Sequence, residues 1–169
     1  MSTNKEIITD NFCFKVYDVL NPEHLNIKDI LKKFKDVSEI SSNLDDFITN
    51  NLIRNKDDGI SNTYVIYYMN NPIGILFTNF HPAEEIDGKI LPDEIEICLG
   101  IIPKYQNKHL GQTLEREISI KLLKMYPTIS FIVASIKDEN IKSKKAVLNA
   151  GYTYFEGNQY HYNRKEKTK

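Results

Sequence analysis

DEIEICLGIIPKYQNKHLGQTLEREISIKLL, Asp93 to Leu123, is the stretch on which the reading of the whole chain turns. Residues 93–102 are rich in Ile, Leu and Cys, which predicts a buried strand. Pro103 ends it, because proline has no N–H to give to a ladder. Residues 104–111 form a polar turn. Leu110, Leu114, Ile118 and Leu122 then recur every four positions, the stripe of an amphipathic helix. A strand that feeds a helix through a tight turn closed by glycine leaves backbone N–H groups directed outward at the helix start. Those orphan donors, with the positive end of the helix dipole, suit a phosphate.

The composition sets bounds around this stretch. The chain has 169 residues, the size of one domain with a real core. It is 41% hydrophobic and 27% charged, which is ordinary for a soluble globular protein. A formal net charge of −1 argues against a general nucleic-acid binder, which would carry a basic excess. No apolar run approaches the ~20 residues that span a membrane. MSTNKEIITD lacks the apolar core of a signal peptide, so a cytoplasmic protein is expected. Cys13 and Cys98 lie in strand-like runs and are expected to be buried, reduced thiols rather than a disulfide or a metal pair. His24, His81 and His161 stand apart with no ligand spacing, so no metal is expected.

Upstream, residues 12–19 alternate large apolar residues with others and predict a first strand. Asn21 and Pro22 suit an N-cap and a first helical position. Ile27, Ile30, Leu31 and Phe34 then predict a helix over 22–35. Ser42 or Asn43 caps a second helix whose stripe is Leu44, Phe47, Ile48 and Leu52. Residues 55–62 read as a loop, 63–69 as a strand, and 73–80 as its antiparallel return after the turn Asn70-Asn71-Pro72. Residues 81–92 read as a loop. Downstream, residues 130–136 predict a short strand buried on both faces. A helix over 140–150 stops at Gly151. Two aromatic-rich strands, 152–156 and 159–163, meet at Gly157-Asn158, and residues 164–169 form a charged tail expected to be disordered. The order β-α-α-β-β-β-α-β-α-β-β predicts an α/β fold: a mixed, mostly antiparallel central sheet with helices on both faces.

Two motifs carry a family resemblance. Gln106-Asn107-Lys108-His109-Leu110-Gly111 resembles the acyl-CoA pyrophosphate loop of the GNAT N-acetyltransferases, Arg/Gln-x-x-Gly-x-Gly/Ala, and residues 96–106 resemble the strand and turn that lead into it. His109 stands where the first loop glycine is usual, and it fits if its backbone keeps a negative φ. Asn140, Ser143, Gly151 and Tyr152 fall on the spacing of the family's Asn-x-x-Ser helix and its closing Gly-aromatic pair. A polar residue at a strand end and a hydroxyl one helical turn later point the same way. The serine makes the ribosomal-protein N-terminal acetyltransferase-like subfamily the nearest resemblance.

The resemblance implies a single GNAT domain over residues 1–169. It also implies acetyl-CoA as cofactor and transfer of its acetyl group to a primary amine by direct attack in a ternary complex. Pantetheine would lie along Leu99, Gly100 and Ile101. Gln106, Asn107, Lys108, His109, Leu110, Gly111, Gln112 and Thr113 would hold the pyrophosphate, with Asn140 and Ser143 also at the cofactor. A backbone N–H near Leu99 to Ile101 would meet the oxyanion, and Gly100 permits a bulge that frees it. Glu94 and Glu96 share a strand face. Glu96 matches the family's strand glutamate and is the candidate base, with Glu94 beside it. The alternative is that both are simply solvated. The general acid expected seven residues after the asparagine is missing, since that position is Val147. Ser143 is the candidate in its place, with Tyr152 and Tyr154 as alternatives that also suit aromatic packing. Lys142, Lys144 and Lys145 either attract the 3′-phosphate of CoA or form a solvated helix face. The acceptor amine stays open among a protein N-terminus, a polyamine, an amino sugar and other small molecules. The chain is read as a monomer or homodimer, with no nucleic acid and no membrane. A non-catalytic CoA-binding or regulatory protein on the same fold is the alternative.

Overall fold

The structure is a computed structural model that describes residues 6–33 and 43–164. The chain divides into two compact units, one from residues 1–79 and 98–108, the other from residues 80–97 and 109–169.

The first unit is built on antiparallel strands β1 (Glu6–Ile8), β2 (Phe12–Val16), β3 (Asn62–Tyr68) and most of β4 (Asn71–His81), paired in that order. The three-residue β1 has no sequence signal, because only Ile7 of its residues is buried. Helix α1 (Pro22–Lys33) starts as expected: Asn21 Oδ1 accepts the Glu23 N–H at 2.9 Å. Its Ile27 and Leu31 enter a core with Leu44, Ile48, Val65, Ile75 and Phe77. Phe34 and Lys35 lie outside the described residues, as does Ser42.

Helix α2 (Leu44–Asp58) departs from expectation at both ends of its stripe. Asn43 precedes it but makes no side-chain cap. Leu52 is exposed, and Asn51 is buried instead, donating from Nδ2 to the Asn62 carbonyl at 3.1 Å. A buried strand carbonyl needs a donor, and that need outranks the apolar stripe. The expected loop at 55–62 is largely helix. It ends where Gly59 turns left-handed at φ 68° and the Asp58 carboxylate takes the N–H groups of Ile60 and Ser61. Between β3 and β4, Met69 and Asn70 both have positive φ, the geometry of a tight primed hairpin turn. Pro72 falls where the ladder shifts register, so its missing N–H costs no bond. Gly74 of β4 lies against the Gly100 backbone, and a Cβ there would collide with the Gly100 carbonyl.

Strand β7 (Glu94–Ile101) gives its second half to the first unit and its first half to the second. In the second unit Glu94–Glu96 pairs in parallel with Phe131–Val133 of β8 (Phe131–Ser135). Strand β8 pairs antiparallel with β10 (Gln159–Asn163), and β10 with β9 (Thr153–Tyr154), the hairpin expected at Gly157-Asn158. Residues 81–92, read as a loop, fold into a second hairpin. It comprises β5 (Glu84–Ile86) and β6 (Lys89–Leu91), turning at Asp87 and Gly88 with φ 51° and 74°. The Asp-Gly pair announces such a turn. Helices α3 (Leu110–Met125) and α4 (Ile141–Ala150) follow the sequence reading. Leu114, Ile118 and Leu122 are buried, and Gly151 closes α4 at φ 104°. Arg164 is no free tail: its Nη2 donates to the carbonyls of Tyr126 and Ile129 at 3.1 and 2.9 Å. Residues 165–169 lie outside the described residues. Mainly antiparallel strands flanked by helices are the architecture the element order implied.

One buried group in the second unit has a measurable consequence. Glu115 of α3 is 7% exposed, and its Oε2 meets no hydrogen-bond partner among the described residues. Burial pushes its carboxyl up to about 8 from an ordinary 4.5. The folded state therefore holds this proton more tightly than the unfolded chain does. The resulting stability is full below pH 4.5 and is lost as pH rises through about 8. Glu115→Gln is neutral throughout, so its melting temperature should exceed the parent's at pH 8 and lose that advantage near pH 4. Melting curves of both proteins across this range check it.

Candidate functional site

The first motif crosses the division of the chain, with residues 106–108 in the first unit and 109–111 in the second, and the second motif belongs wholly to the second unit. In the first unit, Leu99 and Ile101 are half-buried on β7, with buried Gly100 between them and Gly74 behind it. Ile102 donates its N–H to the Ile73 carbonyl at 2.8 Å. A 3₁₀ turn over Pro103–Tyr105 follows, and Gln106 Nε2 donates to the Ile101 carbonyl at 2.8 Å. This bond folds the loop back on the strand end, so the Gln106 side chain sets the loop's shape. Lys104 and Lys108 bring their ammonium groups to 5.6 and 5.4 Å from the Tyr105 ring centroid, within cation–π reach.

Asn107 and His109 both turn left-handed, each at φ 58°. The condition set for His109 in the sequence is therefore not met. Its backbone takes the conformation that glycine enters freely, at a cost of about 1 kcal/mol for a residue with a Cβ. The turn is shaped as though for glycine and is held by histidine.

In the second unit His109 is the N-cap of α3 and makes no side-chain cap. The N–H groups of Leu110, Gly111 and Gln112 thus open a helix of 16 residues. Thr113 Oγ1 donates back to the His109 carbonyl at 3.4 Å. Gly111 needs neither a positive φ nor close packing: a Cβ there would sit an ordinary 3.9 Å from the Ala146 Cβ of α4.

The second motif caps α4. Asn140 Oδ1 accepts the Ser143 N–H at 3.2 Å, so the asparagine has a structural duty. Ser143 is half-buried in the first turn, and Val147, at the position of the expected acid, is wholly buried. Lys144 is neither a free cation nor a merely solvated one. It pairs with Asp138 at 2.6 Å, while Lys142 and Lys145 are exposed. Tyr152 is buried with its OH 2.6 Å from Ser119 Oγ, which makes it a packing residue. Tyr154 is exposed and edge-on to Tyr160, not a core residue.

Glu94 and Glu96 alternate with buried Ile95 and Ile97, so they share the half-buried face of β7 as expected. Desolvation pushes the Glu94 carboxyl up; His81 opposes that shift and the Glu96 charge adds to it. His81, read as isolated, stands 3.5 Å from Glu96 through its Nε2. A contact between neighbouring strands leaves no trace in local spacing, so no sequence signal marked it. Both cysteines are only half-buried, and Cys13 Sγ donates to Glu6 Oε1 at 2.6 Å. Among the described residues no cluster of His, Cys, Asp and Glu is arranged for a metal. No helix among them is long and apolar enough to cross a membrane.

Strands, crossover helix and capped second helix in this order define the acetyltransferase fold of the GNAT family, and this chain has that fold. It is similar to a GNAT-family acetyltransferase from Bacillus anthracis, at 13% identity over 93% of this chain and 96% of that one, with a TM-score of 0.66. It is also similar to an acetyltransferase from Salmonella typhimurium that modifies the N-terminal serine of a ribosomal protein. There the identity is 13%, over 93% and 97% of the two chains, with a TM-score of 0.64. A third similar structure is a ribosomal-protein alpha-N-acetyltransferase in complex with coenzyme A. It has 14% identity over 93% and 96% of the chains and a TM-score of 0.61. No protein-family model and no curated protein matches the sequence.

Proposed function

We propose that this protein is an acetyl-CoA-dependent N-acetyltransferase acting on a primary amine by direct attack in a ternary complex. Gly111 carries the reading. The fold would accept alanine there, and glycine costs a helix about 1 kcal/mol relative to alanine. A bare backbone at the mouth of a long helix, after a doubly left-handed turn, suits the close approach of a phosphate. The coenzyme A complex of a protein with the same fold supports the choice of cofactor.

When bound, acetyl-CoA supplies a thioester carbonyl for attack and a thiolate that departs. The chain's residues do the rest. The N–H groups of Leu110, Gly111 and Gln112 would hold the pyrophosphate, with His109 before them at the helix start. Leu99, Gly100 and Ile101 would offer strand backbone to pantetheine and an N–H donor to the thioester oxygen. Glu96 accepts the proton that keeps the substrate amine as ammonium, because an amine with a pKa of ~10 is almost wholly charged at neutral pH. Glu94 keeps that face acidic. Ser143 supplies a hydroxyl near the departing sulfur, in the absence of a tyrosine at position 147. Buried Val147 in that position is the observation that favours the second reading, a protein that binds coenzyme A without turning over.

Acetyl-CoA should raise the melting temperature, because it binds the folded state alone. Gly111→Val should abolish the shift by lifting phosphate off the backbone while leaving the protein folded. Thermal melts at millimolar cofactor, with thiol release over a panel of amines, check both readings. A shift without thiol release favours the binding protein, and no shift in the parent removes both.

A further inference from the structure

Glu96 has a neighbour that no motif announces. His81, the last residue of β4, brings Nε2 to 3.5 Å from Glu96 Oε2. Both side chains reach water: His81 is 47% exposed and Glu96 30%. From β7, Glu94 also faces the pair, and its carboxyl senses both. Asp93 is turned to another task, its Oδ1 accepting the Ala83 N–H at 2.7 Å. Strand β8 sets apolar Phe131 and Val133 opposite Glu94 and Glu96. The hairpin after His81 carries Glu84, Glu85, Asp87 and Lys89.

We propose that Glu96 and His81 form a two-step proton relay, Glu96 taking the proton of the substrate ammonium and His81 passing it to solvent. The inference rests on the acetyltransferase reading above. In the first step an N–H bond of the ammonium breaks and an O–H bond forms on Glu96, leaving a neutral amine. In the second that O–H bond breaks and an N–H bond forms on the imidazole, restoring the carboxylate. The imidazolium then gives its proton to water or buffer. No electrons change hands, and one proton per turnover leaves the site. Imidazole suits the second step, because it both accepts and releases a proton near neutral pH. The half-exposed ring is the more open of the two groups to water, so it gives the proton the shorter way out. At 3.5 Å the two groups stand at ion-pair distance, and a small side-chain movement brings them to hydrogen-bond length.

Two measurements test it, and the first does not need turnover. The His81 imidazole is followed by NMR through a pH titration, its signal assigned by its loss in His81→Ala. A carboxylate this close favours the imidazolium, so Glu96→Gln should lower the midpoint. An unchanged midpoint overturns the pairing, whatever the protein's activity. The second is thiol release with an accepted amine. His81→Ala should lower kcat about 10–100-fold, with the acetyl-CoA melting shift retained, and millimolar imidazole in the assay should restore most of the rate. A variant as active as the parent overturns the relay. So does a variant that His81→Gln rescues and imidazole does not, since the ring would then only tie β4 to β7. If the parent binds acetyl-CoA and acetylates no amine, the acetyltransferase reading falls and the relay with it. The NMR midpoint then reports whether the ion pair stands alone.

Discussion

Glu96→Gln should slow acetyl transfer roughly 10²–10⁴-fold at neutral pH while leaving the fold and the acetyl-CoA melting shift in place. The substitution keeps the size of the side chain and its hydrogen-bonding oxygen, and it removes only the charge that accepts a proton. Glu96 sits half-buried between buried Ile95 and Ile97, so the strand fixes where the carboxylate points. The rate of the variant should recover in part at high pH, where more of the amine is already neutral. Glu94→Gln should cost much less. Glu94 shares the face, and desolvation pushes its carboxyl up, but Glu96 is the glutamate that stands beside His81. Steady-state rates of both variants from pH 6 to pH 9.5 decide the matter. A larger loss at Glu94 would move the base two residues along the strand. No loss at either would leave the domain working by bringing amine and thioester together.

Gly74→Ala should be the most damaging conservative change in the first unit. The added Cβ would meet the Gly100 carbonyl, a backbone atom near the C-terminal end of β7 that no rotamer change can move. Forcing two strands apart to admit it should cost about 3 kcal/mol or more. For a chain of this length that corresponds to a fall of roughly 6–12 °C in melting temperature. Gly88→Ala is the control. Gly88 has nothing within 4 Å of its missing Cβ and only the strain of φ 74°, so it should lose about 1 kcal/mol. Paired melting curves check the difference. A Gly74→Ala protein as stable as Gly88→Ala would mean the strands have room to part. Because Gly100 lies on the segment proposed to meet the thioester, a folded remnant of Gly74→Ala should also lose activity out of proportion to its lost stability.

Much of this protein is local and therefore legible. Strand β7, the break at Pro103 and helix α3 follow from a run of Ile and Leu, one proline and an apolar stripe of period four. Asn140 caps α4 and Gly151 closes it because both are decided within a single helical turn. Glu94 and Glu96 share a face because side chains alternate along any strand. What the sequence misjudged was settled by neighbours far along the chain. Asn51 took the buried place expected for Leu52 because the Asn62 carbonyl, eleven residues away, needed a donor. His81 became the partner of Glu96 because two strands set them side by side. Arg164 left the expected tail for two carbonyls in the loop after α3. His109 adopted the left-handed conformation of a glycine at the residue before α3, a backbone choice that its side chain does not announce. Periodicity and caps act over a few residues and are written in order along the chain. Hydrogen-bond satisfaction, ion pairing and loop closure act through space, and only the folded chain brings those partners within reach.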